Sequence, residues 1–382
     1  MVEKRIAELD ALRGLAAFTV LINHCLMPYK NIYSLFITHD PQKSNTSLNY
    51  IMFSPFHIFW NGHSAVILFF ILSGFVLSAT HYSRTPFVYK NYLIKRLCRL
   101  YIPYFTIVTM SVILVNVYHK EHGMSNLSDW FNIMWQDKVS FIDYLRLVFL
   151  TGNTNNVGTT LWTIIIEIEV SIVLPIFILI IKNLSFLKNI LFVITYLLMF
   201  YILGKTSIFI YIPFLRNFYY LTFFLFGSII YKYRNRAIEN YRNTNILFAV
   251  LIAITIVLYN WEWLFVWVRP YNNSSTNHII NDYIIAAGGC ILIMLCLLKI
   301  PIVESTLNHY AFKFLGKISY SLYLVHPIIL LCIVYTFKSV EYSYLFPIVV
   351  LSSIIISYLY YLTIENPSIR LGKYLTNKPI GQ

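Results

Sequence analysis

The residues best suited to chemistry in this 382-residue chain sit inside long apolar runs. The run LDALRGLAAFTVLINH carries Asp10, Arg13 and His24. Asp10 and Arg13 are three apart, so on a helix they share a face and can pair. His24 follows Arg13 by eleven positions, about 16 Å along a helix axis and close to three full turns. One face therefore carries a cation toward one end and an imidazole toward the other. That imidazole is either a general base or a hydrogen-bonding group between helices. A second apolar run holds Trp162, Glu167 and Glu169. The two carboxylates are two apart and do not share a face. Counted from their helix ends, Glu167 and His24 lie at matching depths. Glu167 is thus expected to accept one ring proton of His24 and leave its other nitrogen basic. The alternative is two unrelated polar contacts between helices.

Further candidates lie along the chain. In KRLCRLYIP, Arg96 and Arg99 are three apart, and two guanidiniums on one face suit a phosphate or pyrophosphate, or else a lipid headgroup. LFFILSGFVLSAT places Ser73 beside Gly74, where small residues allow close helix packing or passage of a thin ligand. In LGKISYSLYLVHP, Ser319, Tyr323 and His326 step along one face, as a cavity wall or a hydrogen-bonded seam, and Pro327 is expected to kink the helix. Tyr323 and Ser319 are candidates for steadying an oxyanion. Glu365, in IENP, is expected to answer a basic residue at the inner surface. His119 and His122 are a weak pair for a metal, and no metal site is expected. The sequence shows no P-loop, dinucleotide fingerprint, nucleophile elbow or HExxH motif.

The elements that must position these groups follow from composition. Hydrophobic residues make up 58% and charged residues 12%, half the charge that a soluble surface uses. Lipid is therefore the expected solvent for much of the surface. The net charge of +13 reads as membrane topology rather than as a nucleic-acid partner. Ten spans are predicted, near 9–28, 59–79, 101–118, 161–181, 189–204, 218–231, 246–264, 279–298, 315–335 and 344–362. With the N-terminus inside, 19 Lys and Arg fall on inner segments and 9 on outer ones. The fold class is thus an all-α polytopic membrane bundle of about ten helices with both termini cytoplasmic. Segment 80–100 is expected to lie on the inner leaflet as an interfacial helix. The long segments 29–58 and 119–160 are expected to cover a site from outside. One domain, 1–382, is expected, with no appended soluble hydrolase-like domain.

Taken in order, these motifs resemble the acyltransferase 3 family of integral-membrane acyltransferases. Its basic residue, ten intervening positions and His appear as Arg13 and His24. Its FFxxSGF run appears as Phe69 to Phe75, and its two-arginine motif as Arg96 and Arg99. Its tryptophan-to-glutamate motif appears as Trp162 and Glu167, its SYxxYLxHP run as Ser319 to Pro327, and its closing glutamate–x–proline as Glu365 and Pro367. The resemblance covers nearly the whole chain. It implies O-acyl transfer from acetyl-CoA or another short acyl-CoA, a donor substrate entering from the cytoplasm, with no permanently bound cofactor. The implied acceptor is a glycan hydroxyl on the outer side of a bacterial cytoplasmic (inner) membrane: surface polysaccharide, O-antigen or a lipid-linked precursor. His24 becomes the leading catalytic base, Arg13 an essential core residue and Glu167 a support of the centre. Arg96 and Arg99 become contacts to the CoA phosphates, with Ser73 on the donor side. Asp10, Trp162, Tyr323, His326 and Glu365 become supporting residues. Ala11 and Thr163 depart from the Gly and Ser usual in the family, without loss of a charge or hydroxyl. A polytopic transporter or polysaccharide exporter would account for the spans and buried charges, but not for the ordered motifs.

Overall fold

The computed structural model of the chain describes residues 6–41, 47–83, 86–119, 123–206, 213–241, 244–267 and 274–377. Of the residues weighed above, Lys4, Arg5, Lys43, Arg84, Lys120, His122, Arg242, Arg269 and Lys378 lie outside these. The described residues form helices and no strand. The longer helices are α1 (Ala7–Leu26), α2 (Gly62–Tyr82), α3 (Tyr89–Tyr118), α4 (Leu161–Asn183), α5 (Phe186–Leu203), α6 (Pro213–Asn240), α7 (Asn245–Tyr259), α8 (Ser275–Leu297), α9 (Tyr310–Thr336), α10 (Tyr342–Tyr360) and α11 (Asn366–Asn377). Among the described residues eight helical stretches are long and apolar enough to cross a membrane, the last running on from α10 to Thr376. A ninth is added if α7 and Trp261–Trp267, bent by 77° at their junction, form one span. The chain is an all-α, polytopic integral membrane protein.

This falls short of the ten predicted spans at α6, which contains segment 218–231. Tyr219, Tyr220 and Asn217 at one end, and Lys232, Arg234 and Arg236 at the other, dilute its apolar character. Burial explains the tolerance. Leu221, Phe223, Phe224 and Leu225 are enclosed by protein, so lipid does not set the composition of that face. By contrast, α5 leaves Leu187, Leu191, Leu198 and Ile202 more than half exposed, as a lipid-facing helix should.

Segment 89–100 departs from the expected interfacial helix. It is the first part of the 30-residue α3, which continues through Pro103. Its inner apolar residues Tyr92, Cys98 and Leu100 are buried. Cys98 faces a protein partner in α11, where a Cβ on Gly372 would come within 3.0 Å of it. The hydroxyl of Tyr360 donates to the Pro103 carbonyl at 2.6 Å.

The residues divide into two compact units: 1–19, 38–87 and 169–317 in the first; 20–37, 88–168 and 318–382 in the second. In the first, glycines set the closest helix approaches. A Cβ on Gly74 would collide with the backbone of Phe224, and one on Gly227 with that of Ile71. Gly74 is therefore a packing residue between α2 and α6. Likewise a Cβ on Gly14 would meet the backbone of Leu315 and Gly316, and one on Gly316 that of Asp10 and Ala11. The backbones of α1 and α9 thus touch at this crossing.

In the second unit, segment 123–160 folds back along α3. The Asn116 side chain brackets Val139, accepting from its N–H at 2.9 Å and donating to its carbonyl at 3.2 Å. The helix Phe141–Val148 then descends past Thr109, paired with Tyr144 at 3.0 Å, to Tyr104 and Tyr101, which donate to the Leu147 and Val148 carbonyls. Leu150, at a φ of 64°, marks the reversal, and Ser111 donates to the Val157 carbonyl on the way back. The start of α4 is therefore set beside the middle of α3.

Replacing Gly316 by Leu is expected to force the α1 and α9 backbones apart, at a cost of about 1–3 kcal/mol or more. Thermal unfolding of the purified protein should show a clearly lowered midpoint. An unchanged midpoint would show that this crossing carries no weight.

Candidate active site

The structure brings most of the predicted residues together within the second unit: His24, Arg96, Arg99, Trp162, Glu167, Tyr323, His326 and Glu365. Asp10, Arg13 and Ser73 belong to the first unit. There Arg13 and Asp10 form the expected pair along α1, at 3.9 Å. Ser73 is buried in the middle of α2.

The centre is a pair of imidazoles. His24 Nδ1 and His326 Nε2 are 2.9 Å apart. His326 is fully buried, and its Nδ1 lies 2.7 Å from the Leu322 carbonyl, with the Tyr323 carbonyl beside it. Pro327 bears on the second of these carbonyls. Proline has no N–H, so the Tyr323 carbonyl, four residues back, loses its helical donor. The His326 side chain turns back onto that turn of α9, and the helix continues through the proline. A carbonyl can only accept, so His326 Nδ1 carries its proton. The lone pair of neutral His326 is then on Nε2 and accepts from His24 Nδ1. That leaves the His24 lone pair on Nε2, which makes no hydrogen bond among the described residues.

His24 therefore has the polarity expected of it, with a different partner. The predicted His24–Glu167 pair is not formed; the ring partners of His24 are His326 and Trp130. Glu167 instead accepts a hydrogen bond from Arg96 at 2.7 Å, with both side chains largely buried. The depth argument failed because α4 begins beside the middle of α3 rather than level with its end. Segment 123–160 folds inward first, so Glu167 reaches the Arg96 level on α3. Glu169 is held on the other face of α4, where Asn217 donates to it. Two carboxylates two apart thus diverge, as helix geometry requires.

The remaining groups are ordered along α9. Tyr320 donates to the Leu100 carbonyl at 2.8 Å, near the charges of Arg96 and Glu167. Tyr323 shares a hydrogen bond with Thr163 at 2.8 Å, so the threonine that departs from the usual serine still supplies a used hydroxyl. His326 follows, and farther out Tyr335 stacks on Trp135 at an interplanar angle of 9°. From Tyr320 to His326 is roughly 9 Å along the axis. Glu365 is buried in a π-helical turn, Tyr361–Glu365. It accepts from the backbone N–H and hydroxyl of Ser321. Trp162 is half-buried in the first turn of α4, and Arg99 is half-buried one turn beyond Arg96. Cys25, next to His24, is fully buried, which disfavours it as a nucleophile.

A family model described as an acyltransferase domain matches residues 6–362. The chain belongs to the acyltransferase 3 family. No curated protein and no solved structure matches it. The matched stretch includes His24, Arg96, Glu167 and His326, and the acyltransferase pairs them as imidazole with imidazole and arginine with carboxylate.

Trp130 was missed by sequence reasoning, since it lies in a polar segment remote from every motif. Its ring centroid is 5.3 Å from that of His24. A cluster around buried Asp282 in the first unit was also missed: the exposed His63 has its Nε2 2.6 Å from Asp282, and Tyr219 donates to the same carboxylate. A histidine in the first turn of α2 and an aspartate inside α8 were its only signals.

The Arg96–Glu167 pair makes the acyltransferase sensitive to losing either partner, because each leaves a largely buried charge. Arg96→Met or Glu167→Met alone should destabilise by up to about 3–5 kcal/mol. The double variant should lose less than the sum, by about 1–3 kcal/mol. A denaturant-based double-mutant cycle measures this, and additive losses would refute the coupling.

Proposed function

We propose that this acyltransferase moves a short acyl group, most simply acetyl, from acyl-CoA to a hydroxyl of a surface or exported glycan or its lipid-linked precursor. The observation that carries the reading is the hydrogen-bond chain from the Leu322 carbonyl through His326 to His24, which leaves His24 Nε2 as a base. In this reading His24 removes the proton of the acceptor hydroxyl as its oxygen attacks the thioester carbonyl. The carbon–sulfur bond breaks, and the CoA thiolate leaves with the proton relayed from His24. The base is regenerated, and no net proton is produced.

His326 is a positioning residue. It fixes the His24 tautomer and steadies the imidazolium that forms as the proton is taken. The donor phosphates are assigned to Arg99 and Arg96, the latter oriented by Glu167. Their level and the His24 level lie about two helical turns apart along α9, a span that a pantetheine arm bridges. The Tyr323–Thr163 hydroxyl pair between those levels is assigned to the developing oxyanion. In this reading both termini lie in the cytoplasm, with the arginines on the CoA side and His24 toward the acceptor side of a bacterial inner membrane. The acyltransferase family match supports this reading over a transporter or exporter.

Purified protein in lipid nanodiscs, given [14C]acetyl-CoA and the glycan fraction of its own cells, is the direct test. His24→Ala should lower transfer by about 10²–10⁴-fold. His326→Phe should lower it by about 10–100-fold, with His326→Gln retaining more activity because its amide can still accept from His24. Full transfer by His24→Ala would sink the base assignment, and equal losses in the Phe and Gln variants would sink the positioning role.

A further inference from the structure

We infer that Trp130 is the platform on which the acceptor sugar ring lies while one of its hydroxyls meets His24, a role that rests on the glycan-acylating function proposed above. The first observation is proximity. The indole is 5.3 Å from the His24 ring between centroids, tilted by 44°. Among the described residues His24 is its ring partner, and the indole is only half-buried. The neighbouring Phe131, Met134 and Trp135 are fully buried. The segment thus turns its other aromatics into the protein and leaves this one beside the base.

The second observation is rigidity. Trp130 sits in the one-turn helix Asp129–Asn132, capped by the Ser128 hydroxyl. Ser128 also ties this turn to the end of α1. Its N–H donates to the Pro28 carbonyl at 2.9 Å and its hydroxyl to the Met27 carbonyl at 2.6 Å. The Asn132 side chain closes the loop from behind, bonding both backbone groups of Met124 and the Leu127 carbonyl. Phe131 and Trp135 pack on Tyr335 of α9. The indole is therefore anchored to the two helices that carry His24 and His326.

The chemistry follows from the ring. An indole face is electron-rich, and the C–H-rich face of a pyranose is the complementary surface. Stacking orients a sugar without consuming its hydroxyls, so one of them stays free for His24 Nε2. A pre-organised aromatic also binds at small entropic cost. The acceptor class this selects is a pyranose with one unobstructed C–H face, within a chain that can approach from the Trp130 side.

The test compares Trp130→Leu, which keeps apolar bulk without a π-face, with Trp130→Tyr, which keeps a face. Both are assayed as full-length protein in nanodiscs with [14C]acetyl-CoA and the cells' own glycan fraction, and thermal unfolding checks that both are folded. The Leu variant should raise the half-saturating glycan concentration by about tenfold or more, and the Tyr variant by less than about threefold. The half-saturating acetyl-CoA concentration should not move in either. Equal glycan dependence in the Leu and Tyr variants, or a parallel shift in acetyl-CoA dependence, overturns the platform and leaves the proposed function standing. If the wild type transfers no label to glycan, the proposed function itself fails, and the platform fails with it.

Discussion

The hydrogen bond between His24 and His326 is the constraint on which the rest of this site depends. An imidazole in an apolar bundle is useful as a base only if its proton is held on the far nitrogen. Here the backbone does the holding, two steps away. A carbonyl of α9 fixes the His326 tautomer, and His326 fixes that of His24. Pro327, by its missing N–H, frees the neighbouring Tyr323 carbonyl, beside which the His326 ring also lies. Among the described residues no carboxylate bonds to either imidazole. That spares the centre a second buried charge, the most expensive item a membrane interior can hold.

Arg96 and Glu167 form a largely buried ion pair in the second unit. What brings them together is the course of segment 123–160. By running down along α3 and back, it lowers the start of α4 and moves Glu167 away from the imidazoles. The same segment supplies Trp130 beside His24 and Trp135 against Tyr335. A stretch that reads as an outer loop is thus structural material of the site, stitched to α3 by side-chain hydrogen bonds at Asn116, Thr109, Tyr104 and Tyr101.

Register comes from small residues. At Gly14 and Gly316 the backbones of α1 and α9 touch. Close backbone approach of this kind suits a medium in which apolar surface alone gives helices no reason to associate.

Much of this protein was legible in its residues. Low charge content and repeated apolar runs fixed an all-α membrane protein, because only helices satisfy every backbone group within their own span. Ordered motifs pointed to the acyltransferase family and to His24, Arg96, Glu167 and His326. Helix periodicity correctly separated Glu167 from Glu169 and paired Asp10 with Arg13. Which groups meet was decided by tertiary structure. The partner of His24 was misassigned, because depth counted along a sequence assumes that helices start level with one another, and α4 starts beside the middle of α3. The span count fell short at α6, because a helix buried by protein need not be as apolar as one facing lipid. Trp130 was invisible, because nothing local marks a loop tryptophan that hydrogen bonds a hundred or more residues apart in sequence bring to His24. Periodicity reports the faces of one helix; the pairing of faces between helices is set by packing, and only the folded chain holds that information.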